Sequence, residues 1–172
     1  MHLKILYIIL ILFSFEISTA QTNKTAELSL SAELLNGKSW GGVASFSGEI
    51  NYSLNENYSV SGLYRHGNGS GWFGAVEYKP EMDDDVSVYN EISSCLNYNF
   101  NDSVLGLYLG GGIGIIWGKK ENEENYFKPH IPIVLGSKIN IINGFKIGMK
   151  IIGNINAKTT FAGLGLDLIF EI

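Results

Sequence analysis

LGLDLIFEI, residues 164–172, alternates along its whole length between apolar residues and residues that are mostly small or charged. Side chains of a β-strand point to opposite faces in turn, so every second residue shares a face. One face carries Leu164, Leu166, Leu168, Phe170 and Ile172. The other face carries Gly165, Asp167, Ile169 and Glu171. The stretch predicts a strand with one apolar and one mostly polar face that reaches the last residue.

The same alternation recurs along the chain. It predicts nine candidate strands, at 26–34, 44–54, 58–65, 72–79, 86–100, 105–117, 127–141, 145–156 and 164–172. Tight turn signals stand at Asn55–Asn57, Asn101–Ser103 and Asn143-Gly144. Twenty-one glycines and three prolines suit strands and turns better than helices. We therefore expect one all-β domain of successive antiparallel hairpins.

Residues 1–20 have the three parts of a secretory signal. Lys4 supplies positive charge, Ile5–Phe15 is an apolar run, and Ser18–Ala20 offers small residues for cleavage. The apolar run is shorter than the roughly 20 residues of a membrane-spanning helix. We expect cleavage after Ala20, which leaves residues 21–172 as the mature domain.

Charge and cysteine content exclude several classes of protein. The signal removes one basic and one acidic residue, Lys4 and Glu16, so the net charge stays −5. A net negative charge argues against nucleic acid as a partner. Cys95 is the only cysteine, so no internal disulfide can form, and we expect it to be structural.

Two kinds of antiparallel barrel fit this pattern. A soluble, lipocalin-like barrel turns its apolar face inward around a ligand. A transmembrane barrel turns the apolar face to lipid and the polar face to its lumen. The terminal strand without a tail and the aromatic residues at many strand ends favour the membrane. The lipocalin Gly-x-Trp signature is also missing around Trp40.

In the transmembrane interpretation, the charged residues of the polar faces project into a narrow lumen, where acids and bases can pair. These residues are Glu27, Glu33, Glu49, Arg65, Glu77, Glu91, Lys138, Lys146, Lys150 and Asp167. A lumen of this size is normally filled by side chains, so the network is expected to be structural and general diffusion is not.

Bacterial single-chain membrane barrels have an even number of strands, with short periplasmic turns and longer outer loops. Nine candidates reduce to about eight if residues 67–85 form one outer excursion that includes 72–79. Ten strands, with one extra short strand, are the alternative. In the eight-stranded up-and-down barrel, Asp83–Asp85 faces the outside and Asn143-Gly144 faces the periplasm.

The chain resembles the small outer-membrane barrels of the OmpX/OmpA-like superfamily, particularly the Bacteroidetes type. The matching pieces are NYSLNENYSV at 51–60, LYLGGGIG at 107–114 and AGLGL at 162–166. The resemblance covers roughly the whole mature chain. It implies a monomer in the outer membrane that contacts lipid and the barrel-assembly machinery. Ile172 stands where such barrels usually end on an aromatic residue.

A second resemblance is to the TraO family of conjugative-transposon proteins. GWFGAVEY at 71–78 is similar to a strand of that family, and the AGLGL ending is similar too. The family's Arg-Ile-Pro segment is absent. This resemblance implies an envelope protein of conjugal transfer, which neighbouring transfer genes would favour.

No catalytic, cofactor-binding or metal-binding residue is predicted. Lipid A deacylases and acyltransferases of similar size need a serine beside a histidine and an acid. The mature chain has only His66 and His130, and neither forms a His-x-Ser pair. We expect both to be ordinary polar residues.

Three other clusters have simpler explanations. Asp83–Asp85 lacks the ligand spacing and glycine of a calcium loop, so it is interpreted as a solvated acidic loop. Gly110–Gly114 has no following Lys-Ser or Lys-Thr, which excludes a phosphate loop and favours small lumenal residues. Lys119-Lys120 beside Glu121, Glu123 and Glu124 is interpreted as an exposed loop of mixed charge.

Two classes of function remain. The first is a non-enzymatic barrel that presents outer loops to envelope, surface or conjugation partners. The second is a lipid-modifying enzyme or a narrow transporter of small hydrophobic molecules. Because no catalytic constellation is visible, the sequence favours the first class.

Overall fold

The computed structural model describes residues 25–37, 41–68, 86–100, 105–120, 125–155 and 161–172. These residues form eight strands. Their bounds are β1 Ala26–Gly37, β2 Gly41–Ser53, β3 Tyr58–Asn68, β4 Val86–Phe100, β5 Gly106–Lys120, β6 Asn125–Ile142, β7 Phe145–Ile155 and β8 Phe161–Glu171. No helix of the described residues is long and apolar enough to cross a membrane.

Each strand pairs antiparallel with the next, and β8 pairs with β1 to close a barrel. The closing seam runs from Glu27 opposite Glu171 to Gly37 opposite Phe161. The prediction of an eight-stranded up-and-down barrel is confirmed. The ten-stranded alternative is wrong, because β3 and β4 pair directly and the described strands already close the ring. The ninth candidate, 72–79, lies outside the described residues, as does Glu77.

Two tight turns stand at one end of the barrel. Asn55 Oδ1 accepts hydrogen bonds from the backbone N–H groups of Asn57 and Tyr58, at 2.9 and 2.8 Å, which fixes the β2–β3 turn. Gly144 has φ 81°, so the β6–β7 turn uses a conformation that suits glycine. We call this the turn end, and the opposite end, where residues 69–85 connect β3 to β4, the loop end.

Apolar side chains cover the outward wall. Ile113 is 76% exposed, Phe46 70% and Leu166 60%. A water-soluble protein rarely exposes a large continuous apolar surface, whereas a barrel in lipid requires one. Aromatic pairs line the turn end of this wall, with ring centroids 5.3 Å apart for Tyr58–Tyr98 and for Phe145–Phe170. The predicted interfacial aromatic residues are thus present at this end.

Polar side chains fill the inside. Glu91 is fully buried, Arg65 is 1% exposed and Lys150 is 2% exposed. The apolar face of each strand therefore points outward and the polar face points inward. This is the arrangement predicted for a membrane barrel and the reverse of that in a soluble barrel.

Candidate functional site

The lumen holds the densest group of charged side chains among the described residues. Arg65, on β3, reaches across to Glu33 on β1 and to Glu91 on β4, and both contacts are short ion pairs. Glu33 also accepts hydrogen bonds from Ser45 Oγ at 3.0 Å and Ser47 Oγ at 2.7 Å. A buried carboxylate is stable when its oxygens are saturated in this way.

Lys150, on β7, forms the second centre. Its Nζ lies 3.2 Å from Glu33 Oε1 and 3.1 Å from Asp167 Oδ1, and it donates to Ser31 Oγ at 2.9 Å. Glu33 therefore joins Arg65 and Lys150 into one structure, which we call the lumenal network (Glu33, Arg65, Glu91, Lys150 and Asp167). It ties β1, β3, β4, β7 and β8 together through the interior of the barrel.

A separate group of charges lies at the turn end. Lys146 Nζ contacts Glu27 Oε1 at 2.5 Å and Glu171 Oε1 at 2.7 Å, and Lys138 Nζ contacts Glu27 Oε2 at 2.8 Å. Glu27 and Glu171 face each other across the β1–β8 seam. Lys146 therefore bridges two like charges where the barrel closes.

His130 occupies the lumen beside Glu91, with Nε2 3.3 Å from Glu91 Oε1. The imidazole fits there because β5 carries glycine opposite it. A Cβ on Gly114 would lie 2.3 Å from His130 Nε2, and one on Gly110 would lie 2.0 Å from Asn97 Oδ1. The prediction that this glycine cluster provides small lumenal residues is confirmed for these two positions, while Gly111 faces outward.

An apolar cap closes the lumen toward the loop end. Its members face inward from seven strands and are Leu35, Val43, Tyr89, Ile116, Tyr126, Ile152 and Phe161. All are at most 8% exposed, and the rings of Tyr89 and Phe161 meet edge to face at 5.8 Å. Inward apolar residues on this scale were not predicted. The sequence does contain a signal for the cap, because Ile116, Tyr126 and Ile152 are large residues on the otherwise polar faces of their strands.

Little space is left inside. One cavity of about 10 Å³ lies between Glu91, His130 and Asn154, and another of about 20 Å³ lies between Glu49, Tyr108 and Asp167. A cavity needs roughly 10–15 Å³ of accessible space to hold one water molecule. Neither cavity could pass a solute larger than water.

The remaining candidate residues are dispersed. Cys95 faces the lumen and is buried, in agreement with a structural role. His66 lies on the outward wall, far round the sheet from the lumenal His130. Asp83–Asp85, Glu121, Glu123 and Glu124 lie outside the described residues. Lys119 and Lys120, which were predicted to lie in an exposed loop, instead form the end of β5, where Lys119 is exposed. No group of metal-ligating side chains occurs within the described ranges.

No protein-family model and no curated protein matches the chain. Solved structures do match. The N-terminal β-barrel domain of Pseudomonas aeruginosa OprF has a TM-score of 0.60 at 14% identity, covering 85% of this chain and 97% of that domain. Neisserial surface protein A has a TM-score of 0.61 at 13% identity, covering 88% and 98%. Ail, the attachment invasion locus protein of Yersinia pestis, has a TM-score of 0.52 at 13% identity, covering 87% and 97%.

Identities this low establish the fold alone. The chain has the fold of a small outer-membrane β-barrel, and its apolar outward wall and charged lumen suit that location.

Proposed function

We propose that the chain is a non-enzymatic outer-membrane β-barrel that acts as a structural and interaction protein through its outer loops. The proposal includes export with cleavage after Ala20, insertion by the barrel-assembly machinery and a monomer surrounded by lipid. It also places the loop end outside the cell, because short turns are typical of the periplasmic side.

The filled lumen is the observation that carries the proposal. Arg65 and Lys150 are held by acids in its middle, the apolar cap lies above them, and the cavities between are about the size of one water molecule. A barrel of this kind offers a partner its rim and its loops rather than a passage.

The position of His130 supports the non-enzymatic half of the proposal. A lipid-modifying enzyme needs its base on a surface that acyl chains can reach. His130 is 5% exposed and lies inside the lumen against Glu91, and His66, which does lie on the outward wall, is hydrogen-bonded to Asn90 rather than to an acid or a serine.

An epitope insertion tests the loop function. A tag placed within Asp83–Asp85 should be labelled on intact cells, and one at Asn143-Gly144 should be labelled only after the outer membrane is opened. The first insertion should weaken a binding or transfer phenotype while heat-modifiable gel mobility stays normal. A normal phenotype after all four loop-end connections are replaced would contradict the proposal.

Conductance tests the closed lumen separately. The purified barrel in a planar bilayer should show no steady ion current. A stable open current, with unchanged gel mobility, would instead favour a narrow transporter.

A further inference from the structure

A polar cluster interrupts the apolar outward wall near the loop end. His66 on β3 and Asn90 on β4 are directly paired across the sheet, and both face outward. His66 is exposed and Asn90 is partly exposed. At the membrane interface such polar groups cost little and can contact lipid headgroups.

Asn90 organises this cluster. Its Nδ2 donates to the carbonyl oxygen of Trp117 at 3.4 Å, which turns Oδ1 toward β3. That oxygen lies 2.8 Å from His66 Nδ1 and accepts a hydrogen bond from the Tyr64 hydroxyl at 3.3 Å. Because amide oxygen only accepts, His66 must carry its proton on Nδ1.

With Nδ1 bonded to Asn90, Nε2 is the ring nitrogen that remains to bind a ligand. Among the described residues, none forms a hydrogen bond with Nε2. In the imidazolium form both ring nitrogens are donors, so Nε2–H can bind an anionic oxygen while Nδ1–H stays on Asn90.

The height of the cluster on the wall suits a lipid headgroup. Asn90 pairs with Trp117, and Trp117 pairs with Phe127, which is 69% exposed. Outward aromatic residues at a strand end are typical of the interface between acyl chains and headgroups. The cluster thus lies beside the interfacial aromatics, within reach of headgroups.

One cationic residue lies close to the cluster. Lys119 lies on the outward face of β5 one outward position beyond Trp117. Asp and Glu are absent from the outward positions of β3, β4 and β5 within the described residues. Cationic side chains at this depth attract anionic lipid headgroups.

We propose that His66, held by Asn90, binds the phosphate-bearing headgroup of a membrane lipid at the loop end of the barrel. The inference depends on the lipid-facing wall and not on what the outer loops bind, so the two can fail independently.

Native mass spectrometry of the full mature barrel in nanodiscs tests the site. The nanodiscs contain phosphatidylcholine doped with bisphosphorylated lipid A or with the same glycolipid after phosphate removal. Wild type should retain the phosphorylated form about tenfold better, since a charge-assisted hydrogen bond has an effect of this order. His66→Leu should abolish that preference, and Ile155→Leu, on the wall of β7, should keep it.

Two further measurements keep the test decisive. If His66→Leu fails to show heat-modifiable mobility, His66→Gln replaces it, because its neutral amide preserves polarity and should also lose the phosphate preference. Excess inorganic phosphate should leave the bound lipid in place, because acyl chains contribute to its retention. Equal retention of both glycolipids by wild type would overturn the proposal, and so would displacement of the lipid by inorganic phosphate. A dimer of the barrel that forms in wild type and is lost in His66→Leu would also overturn it, because the cluster would then contact a second copy of the chain.

Discussion

The outward wall and the lumen use the same strands but have opposite chemistry. On β8, Leu166 is 60% exposed on the wall, and its neighbour Asp167 is 3% exposed beside Lys150. A soluble protein places such residues the other way round. The difference teaches that the medium outside this barrel is hydrocarbon, so charge is stable only where the protein itself supplies its partners.

On the lumen side, Arg65→Met is expected to have the largest effect on stability. It would leave the buried carboxylates of Glu33 and Glu91 without their shared cation, at an expected cost of about 3–5 kcal/mol in unfolding free energy. Urea titration in lipid vesicles, followed by tryptophan fluorescence, measures this cost. Leu63→Met, at the neighbouring inward position, is the control and should stay close to wild type. Equal midpoints for the two variants would mean that the network contributes little.

On the wall, the corresponding test is Leu166→Arg. A charge placed toward lipid costs about 2–4 kcal/mol near the membrane midplane, so assembly should fall strongly. Heat-modifiable gel mobility after refolding into vesicles reports the folded fraction. Leu166→Met should assemble normally. If the arginine variant assembled as well as the methionine variant, the two faces would be assigned in reverse.

Two glycines on β5, one inward and one outward, allow the lumen and the wall to be compared within a single strand. Gly114 faces inward, and a Cβ there would lie 2.3 Å from His130 Nε2 and 2.7 Å from Ser93 Cβ. Gly111 faces outward, and its Cβ would meet only a backbone oxygen at 3.9 Å. Gly114→Ala should therefore cost about 1–3 kcal/mol, while Gly111→Ala should be tolerated. The same urea titration compares them, and similar midpoints would contradict the tight packing around His130.

Lys146→Met is expected to have the smallest effect. It would leave Glu27 and Glu171 opposed at the seam, but Glu171 is exposed and Lys138 still contacts Glu27. We expect a loss of about 1 kcal/mol, because Glu27 keeps its contact with Lys138 and the Lys146–Glu171 pair is partly exposed. This loss should shrink in high salt, which screens the exposed part of the contact. A loss that is independent of salt would place the effect in packing rather than charge.

Strand alternation was sufficient to predict the fold. The period of 2 on β8 and the Asn-Gly turn at 143–144 specify local pairing, and the even strand number of such barrels then leaves eight strands or ten. The 72–79 stretch left the strand number at eight or ten, because its alternation is typical of a barrel strand. The direct pairing of β3 with β4 decides for eight.

The partners within the lumen could not be predicted from sequence. Glu33 and Arg65 are far apart in the chain and belong to strands that are not neighbours in the sheet. They meet because the barrel is narrow and both positions face inward at similar heights, which depends on the register of every strand between them. The apolar cap was missed for a related reason. A single inward Ile116 or Ile152 only weakens an alternating pattern, and the cluster exists only after closure.

The contacts of Arg65 and Lys150 also have a mechanical meaning. Lateral pressure from a bilayer tends to flatten a hollow cylinder into an ellipse. Here, ion pairs through the lumen connect β1 to β3 and β1 to β7, which are not neighbouring strands, so flattening of this side of the barrel must stretch or compress a charge contact. We therefore expect this side of the barrel to resist flattening when the surrounding membrane is compressed.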